Sequence, residues 1–209
     1  MIARACGVAA LAVLAFAGPA NSVLAPADDS SRVPRAVADW PENARLLAEA
    51  TVREYGAPDD IQPGQLTWNG RRPWTRVVVF RDAQSRESPN LLLEALAYPV
   101  PPSRWRALSS FDRGVTYDPV RRELVARGGG EAANLLALNL ADEIIQGRRS
   151  PPDANAFFDR TLSEAASGRT SAYMLRLMFS PGLRRRIVGS RSGMNGDLER
   201  EIRSLGDPN

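Results

Sequence analysis

Histidine is absent from the 209 residues, and cysteine occurs once, at Cys6. Lysine is absent too, so all 27 basic residues are arginine. Cys6 falls inside an N-terminal stretch that reads as a leader, so the mature chain would carry neither cysteine nor histidine. That excludes disulfides, zinc sites built on thiolate or imidazole, and every nucleophile that leans on a histidine base. A metal would have to be held by oxygen ligands alone. Charge of one sign is also scarce: the formal net charge is +3, and the pI of about 9.6 reflects arginine set against 24 acids. Such a balance does not by itself make a basic face, and nucleic acid is not an expected partner.

Long apolar runs are equally rare. The longest, residues 5–16, follows Arg4 and precedes small residues, the pattern of a secretory signal, and is too short for a lasting membrane span. Residues 1–20 are therefore expected to be a signal peptide cleaved after Ala20. Ala25-Pro26-Ala27 is a second site, and an uncleaved anchor is the alternative. Cys6 precedes the apolar run, so it is not placed to carry a lipid. Residues 21–37 read as a flexible lead-in, 38–180 as a single domain, and 181–209 as a basic, partly disordered C-terminal segment.

The expected order is helix, hairpin, strand, helix, hairpin, then further helices. Residues 41–55 form the first helix, with Pro41 at its start and Gly56 as its stop. Ala44, Leu47, Ala48, Thr51 and Tyr55 make its core stripe. Residues 65–68 and 74–80 pair as a hairpin around Asn69-Gly70. Residues 91–100 read both ways: Leu-Leu-Leu-Glu-Ala-Leu-Ala favours helix, while Tyr98-Pro99-Val100-Pro101 demands extended chain, which favours a strand for the second half. Residues 102–108 give a short helix with Trp105 and Leu108 inward. A second hairpin, 114–117 with 122–126, turns at Asp118-Pro119. Ser150, Pro151 and Asp153 open another helix as a capping-box variant.

Residues 131–147 are the strongest helix in the chain. At roughly 100° per residue the apolar positions fill an arc of roughly 200°. Leu136, Leu140 and Ile144 lie in that arc; Asn139, Asp142 and Glu143 lie on the other side. A helix covered so widely is the centre of a core. The fold class that follows is α+β: a small antiparallel sheet of two hairpins plus a further strand, packed on this central apolar helix with additional helices on one face.

Residues 74–82, Tyr98 with Val100-Pro101-Pro102, and above all 134–144 continuing to Gly147-Arg148-Arg149-Ser150 resemble a family of uncharacterised proteins exported by Gram-negative bacteria. The resemblance covers residues 40–165. It implies export and assigns no activity and no catalytic residue. Gly128-Gly129-Gly130 departs from the family's pattern.

No catalytic, cofactor-binding or metal-ligating set emerges. Trp68, Arg71, Arg72 and Trp74 on the first hairpin have the composition of a partner-binding patch; the alternative is an aromatic pair closing the hairpin. Asn134 sits inside the apolar arc, so its amide must find partners in the sheet or a nearby loop. The triple glycine before a helix N-terminus reads as a flexible connection. Asp142-Glu143 and Asp59-Asp60 read as solvated acids. Tyr173 through Phe179 with Arg184, Arg185 and Arg186 could rest on a membrane surface, although packing against the domain is favoured. The function expected is a non-catalytic binding module of the cell envelope, its partner another envelope protein or polymer. The alternatives are a carboxylate or serine hydrolase of envelope polymers, and a peripheral membrane-associated protein.

Overall fold

The computed structural model describes residues 32–83 and 90–181. The expected α+β class holds. Six antiparallel strands run in the order β1-β2-β3-β4-β6-β5: β1 Asp60–Gln62, β2 Gln65–Asn69, β3 Arg76–Phe80, β4 Leu92–Ala97, β5 Val115–Asp118 and β6 Glu123–Gly128. The helices are α1 Val33–Ala36, α2 Glu42–Tyr55, α3 Pro102–Ser109, α4 Glu131–Ile145 and α5 Pro151–Ala166, followed by a 3-10 turn at Ala172–Met174.

Pairing sets which side chains meet. Trp68 stands opposite Val77, Val77 opposite Glu94, and Glu94 opposite Ala126. Alternation along each strand then brings Leu66, Val79, Leu92, Leu96 and Leu124 to the same face, and these join Leu136, Leu138, Leu140 and Ile144 of α4 in the core. Val78, Ala95 and Val125 belong to the other face and are buried outside that core. Long side chains cover them. Arg76 on β3 bonds Glu123 on β6 at 3.2 Å, arching over β4, where alanine at 95 and 97 leaves room. The Arg127 guanidinium lies 3.8 Å from the centre of the Phe80 ring.

Several expectations are corrected. The sheet has a sixth strand, β1, where the expected order places none. Strand β4 begins at Leu92, because pairing on both edges with β3 and β6 overrides the helical propensity of its leucines and alanines. Residues 33–37 are not a free lead-in: α1 forms there, and Val33 and Val37 are buried beside Trp40. Trp105 is 45% exposed rather than inward; its indole donates to Val100 O at 3.1 Å and leans on Tyr117. Asp142 and Asn139 are buried rather than solvated. Segment 173–178 covers that side of α4, with Asn139 donating to Tyr173 O and Arg176 O and accepting from Met178 N. Gly128 is more than a flexible link. It is paired in β6, and a Cβ there would come within 2.6 Å of Asn134 Oδ1.

Candidate functional site

Among the described residues, a concavity lies where α3, the end of α4 and the start of α5 meet. Its volume is about 640 Å³. Arg104 and Ala107 line it from α3, Ile144 and the turn Gly147-Arg148-Arg149-Ser150 from α4, and Asp153, Phe157 and Arg160 from α5. Four arginines thus line one cleft, and Asp153 is the single carboxylate in the wall.

Local rules of helix ending and starting build this turn. Gly147 N–H bonds Ile144 O at 2.9 Å and Arg148 N–H bonds Glu143 O at 2.8 Å, a Schellman ending. That ending needs positive φ after the last helical residue, and Gly147 has φ 73°. A side chain at 147 would also strike Arg104, whose Nη2 would lie 2.9 Å from an added Cβ. Three residues later Ser150 caps α5, accepting from Asp153 N–H and donating to Asp153 Oδ2 at 2.6 Å. Between a helix end and a helix start, only Arg148 and Arg149 remain, and both turn toward the cleft.

A buried acid, Asp142, and a half-buried one, Glu143, fix these two arginines from behind. Arg148 donates to Asp142 Oδ2, and Tyr98 O–H donates to Asp142 Oδ1 at 2.6 Å. Arg149 Nε donates to Glu143 Oε2 at 2.6 Å, and Tyr173 O–H donates to Glu143 Oε1. Burial pushes the Glu143 carboxyl up, but the Tyr173 hydroxyl and the Arg149 guanidinium outweigh it and hold the acid below its usual range. Arg149 and Arg160 also lie over the Phe157 ring, at 4.6 and 5.3 Å from its centre. Arg104 and Arg160 form no ion pair with a described carboxylate.

The start of α5 offers an anion no backbone help. Pro151 and Pro152 have no N–H, and the amides of Asp153 and Ala154 are already bonded to Ser150. Asp142 and Glu143 do not converge as an acid pair; each is spent on positioning an arginine.

The first-hairpin residues lie elsewhere. Trp68 and Trp74 are in the core: Trp68 shares the inward face with Leu66, and its indole donates to Gly56 O at 3.0 Å. The Trp74 indole donates to Tyr55 O–H at 3.0 Å. Arg71 spends its donors within the fold, reaching Asn69 O of its own loop at 2.6 Å and, across on the segment that follows α2, Asp59 Oδ1 at 2.9 Å. Arg72 is exposed. The four do not form one surface, because strand alternation and the indole bonds take both tryptophans inward. Tyr173 and Phe179 pack on Phe157 and Tyr98, while Arg184, Arg185 and Arg186 lie outside the described residues.

Asn134 lies under the start of α4, where its amide donates to Leu92 O at 3.2 Å and to Glu94 Oε2 at 3.0 Å. Glu94 is the residue that sequence reading passes over. It is 1% exposed, on the inner face of the sheet. Burial raises its carboxyl to about 8; the Asn134 bond opposes this, and Glu131 and Glu54 add to it. No group of described residues could hold a metal ion. No family model, no curated protein and no solved structure matches the chain.

Proposed function

We propose that this is a non-catalytic binding domain exported to the cell envelope, and that it holds an anionic ligand or an anionic group of an envelope polymer or protein in the cleft between α3, α4 and α5. The observation that carries the reading is the set Arg104, Arg148, Arg149 and Arg160 in one wall against a single carboxylate, Asp153. Two of these arginines are pre-positioned by the acids Asp142 and Glu143, which lowers the ordering cost of binding. A cleft walled by guanidinium groups attracts and orients anions; it lacks the facing acid pair that a carboxylate hydrolase uses.

The test is capture in the producing cell. Wild-type protein and an Arg104→Ser/Arg160→Ser variant are crosslinked in the envelope, and what is attached is compared. Recovery at least fivefold lower from the folded variant supports the cleft. Equal recovery moves the binding surface elsewhere, with the exposed Arg72 next in line.

Export rests on the apolar run at 5–16 and on the resemblance. Mass spectrometry of the protein from the producing cell is expected to find a start near Asn21 or Asp28. An intact Met1 on exported protein would overturn it. Among the described residues no helix is long and apolar enough to cross a membrane.

A further inference from the structure

We infer that the group the cleft takes is a phosphate monoester on a compact organic body; this rests on the anion-binding reading above. Three features of the wall point there. The first is donor geometry. A carboxylate presents two oxygens in one plane and is saturated by one or two guanidinium forks. The cleft is lined by four arginines on three separate segments, Arg104 on α3, Arg148 and Arg149 on the turn and Arg160 on α5; Arg148 and Arg149 each give part of their donor set to an acid, and Arg104 and Arg160 keep theirs. Donors arriving from several sides suit an oxyanion whose three terminal oxygens point to separate corners.

The second feature is charge. Arg148 and Arg149 have the counter-ions Asp142 and Glu143 behind them, whereas Arg104 and Arg160 bring charge with no described carboxylate in ion-pair reach. A phosphate monoester is close to a dianion at neutral pH. It can engage the free pair while the fixed pair supplies orientation. Asp153 disfavours any anion placed beside it, so the phosphate belongs toward Arg104 and Arg160. The amides that open α5 give a phosphate no help, because Pro151 and Pro152 have no N–H and those of Asp153 and Ala154 are taken, so the guanidinium groups are the charged donors here.

The third feature is size. At about 640 Å³ the cleft is far larger than one inorganic phosphate and falls in the range of roughly 300–1,000 Å³ typical of small-molecule sites. Ala107, Ile144, Ala156 and Phe157 give it an apolar part that a bare ion leaves empty. An esterified ring or short acyl portion covers that part.

The probes are phenyl phosphate, inorganic phosphate and benzoate, titrated into the full chain while the amide signals of Gly147, Arg148 and Ser150 are followed by NMR. Phenyl phosphate is expected to bind at least tenfold tighter than either of the others. Its affinity is expected to rise between pH 5 and pH 7, as its second proton leaves near pH 6; a carboxylate has no such step in that window. Arg104→Ser/Arg160→Ser is expected to lose at least tenfold in affinity with the fold intact. Gly147→Ala, which displaces Arg104, serves as a second variant and is expected to weaken phenyl phosphate and inorganic phosphate alike. Benzoate binding as well as phenyl phosphate, or an affinity flat across pH 5–7, overturns the phosphate assignment and leaves the anion cleft standing. No shift at the three amides with any probe overturns both.

Discussion

At the scale of single residues, Glu94 is the group whose placement carries the clearest consequence. Its carboxyl is pinned between the sheet and the start of α4 with one amide, Asn134, for a partner. Raised from 4.5 to about 8, it keeps its proton in the folded chain over a range where the unfolded chain has lost it. The native state therefore binds the extra proton between those values. Stability is highest in this respect below about pH 4.5, falls as pH rises, and is fully reduced above about pH 8. With each unit worth ~1.4 kcal/mol, the effect across the window is of the order of a few kcal/mol. Urea unfolding at pH 5, 6.5 and 8 should show this decline, and Glu94→Gln should flatten it while keeping the Asn134 bond. An equal slope in the variant would assign the decline to other acids, Glu131 first among them. The neighbouring arginines of the first hairpin make a second residue-scale contrast. Arg71 closes its loop on Asp59 and Asn69, so Arg71→Ser should cost about 1–2 kcal/mol. Arg72 is exposed, so Arg72→Ser should stay within about 0.5 kcal/mol. Equal losses by thermal melting would contradict the geometry.

At the scale of elements, α4 is where sequence and structure agree best. The apolar arc of 131–147 becomes a helix from Glu131 to Ile145 with Leu136, Leu138 and Leu140 fully buried. Replacing Leu136 or Leu140 by alanine should each cost about 2–5 kcal/mol in denaturant titrations. A loss well under 1 kcal/mol at both positions would make the helix peripheral. The two hairpins and the cap at Ser150 were equally legible, because turn chemistry and capping act over a few neighbouring residues. What was not legible depends on partners far along the chain. Asn139 and Asp142 lie on the helix's polar side, yet both are buried, one by segment 173–178 and the other by Tyr98 and Arg148. Leu92 to Ala97 has the composition of a helix and becomes a strand only through its two neighbours. The candidate site shows the same limit. Arg148 and Arg149 read locally as cations suited to a helix end, and only the fold brings Arg104 and Arg160 beside them.

At the scale of the whole molecule, the sheet has two unequal faces, and this ranks the stability of its parts. The inner face is sealed by α2 and α4 against a continuous core, while the outer face is roofed by its own arginines. The central strands β3 and β4 are bonded on both edges, and β4 is also backed by α4 through Asn134. The end strands β1 and β5 are short, at three and four residues, and each is bonded on one edge only. Opening β1 or β5 exposes little core, whereas separating β3 from β4 uncovers Val77, Val79, Leu92 and Leu96 together. Native-state hydrogen exchange should therefore divide by strand order rather than by chain order. Amides of Val78 and Leu93 should exchange only through global unfolding, with free energies matching denaturant titration. Amides of Gln62 and Thr116 should exchange through local opening at a free energy several kcal/mol lower. Because the arginine roof contributes by packing as well as charge, raising the salt concentration should leave the slow class in place. Equal protection in β1 and β4 would mean that the edges are sealed by something beyond the sheet itself.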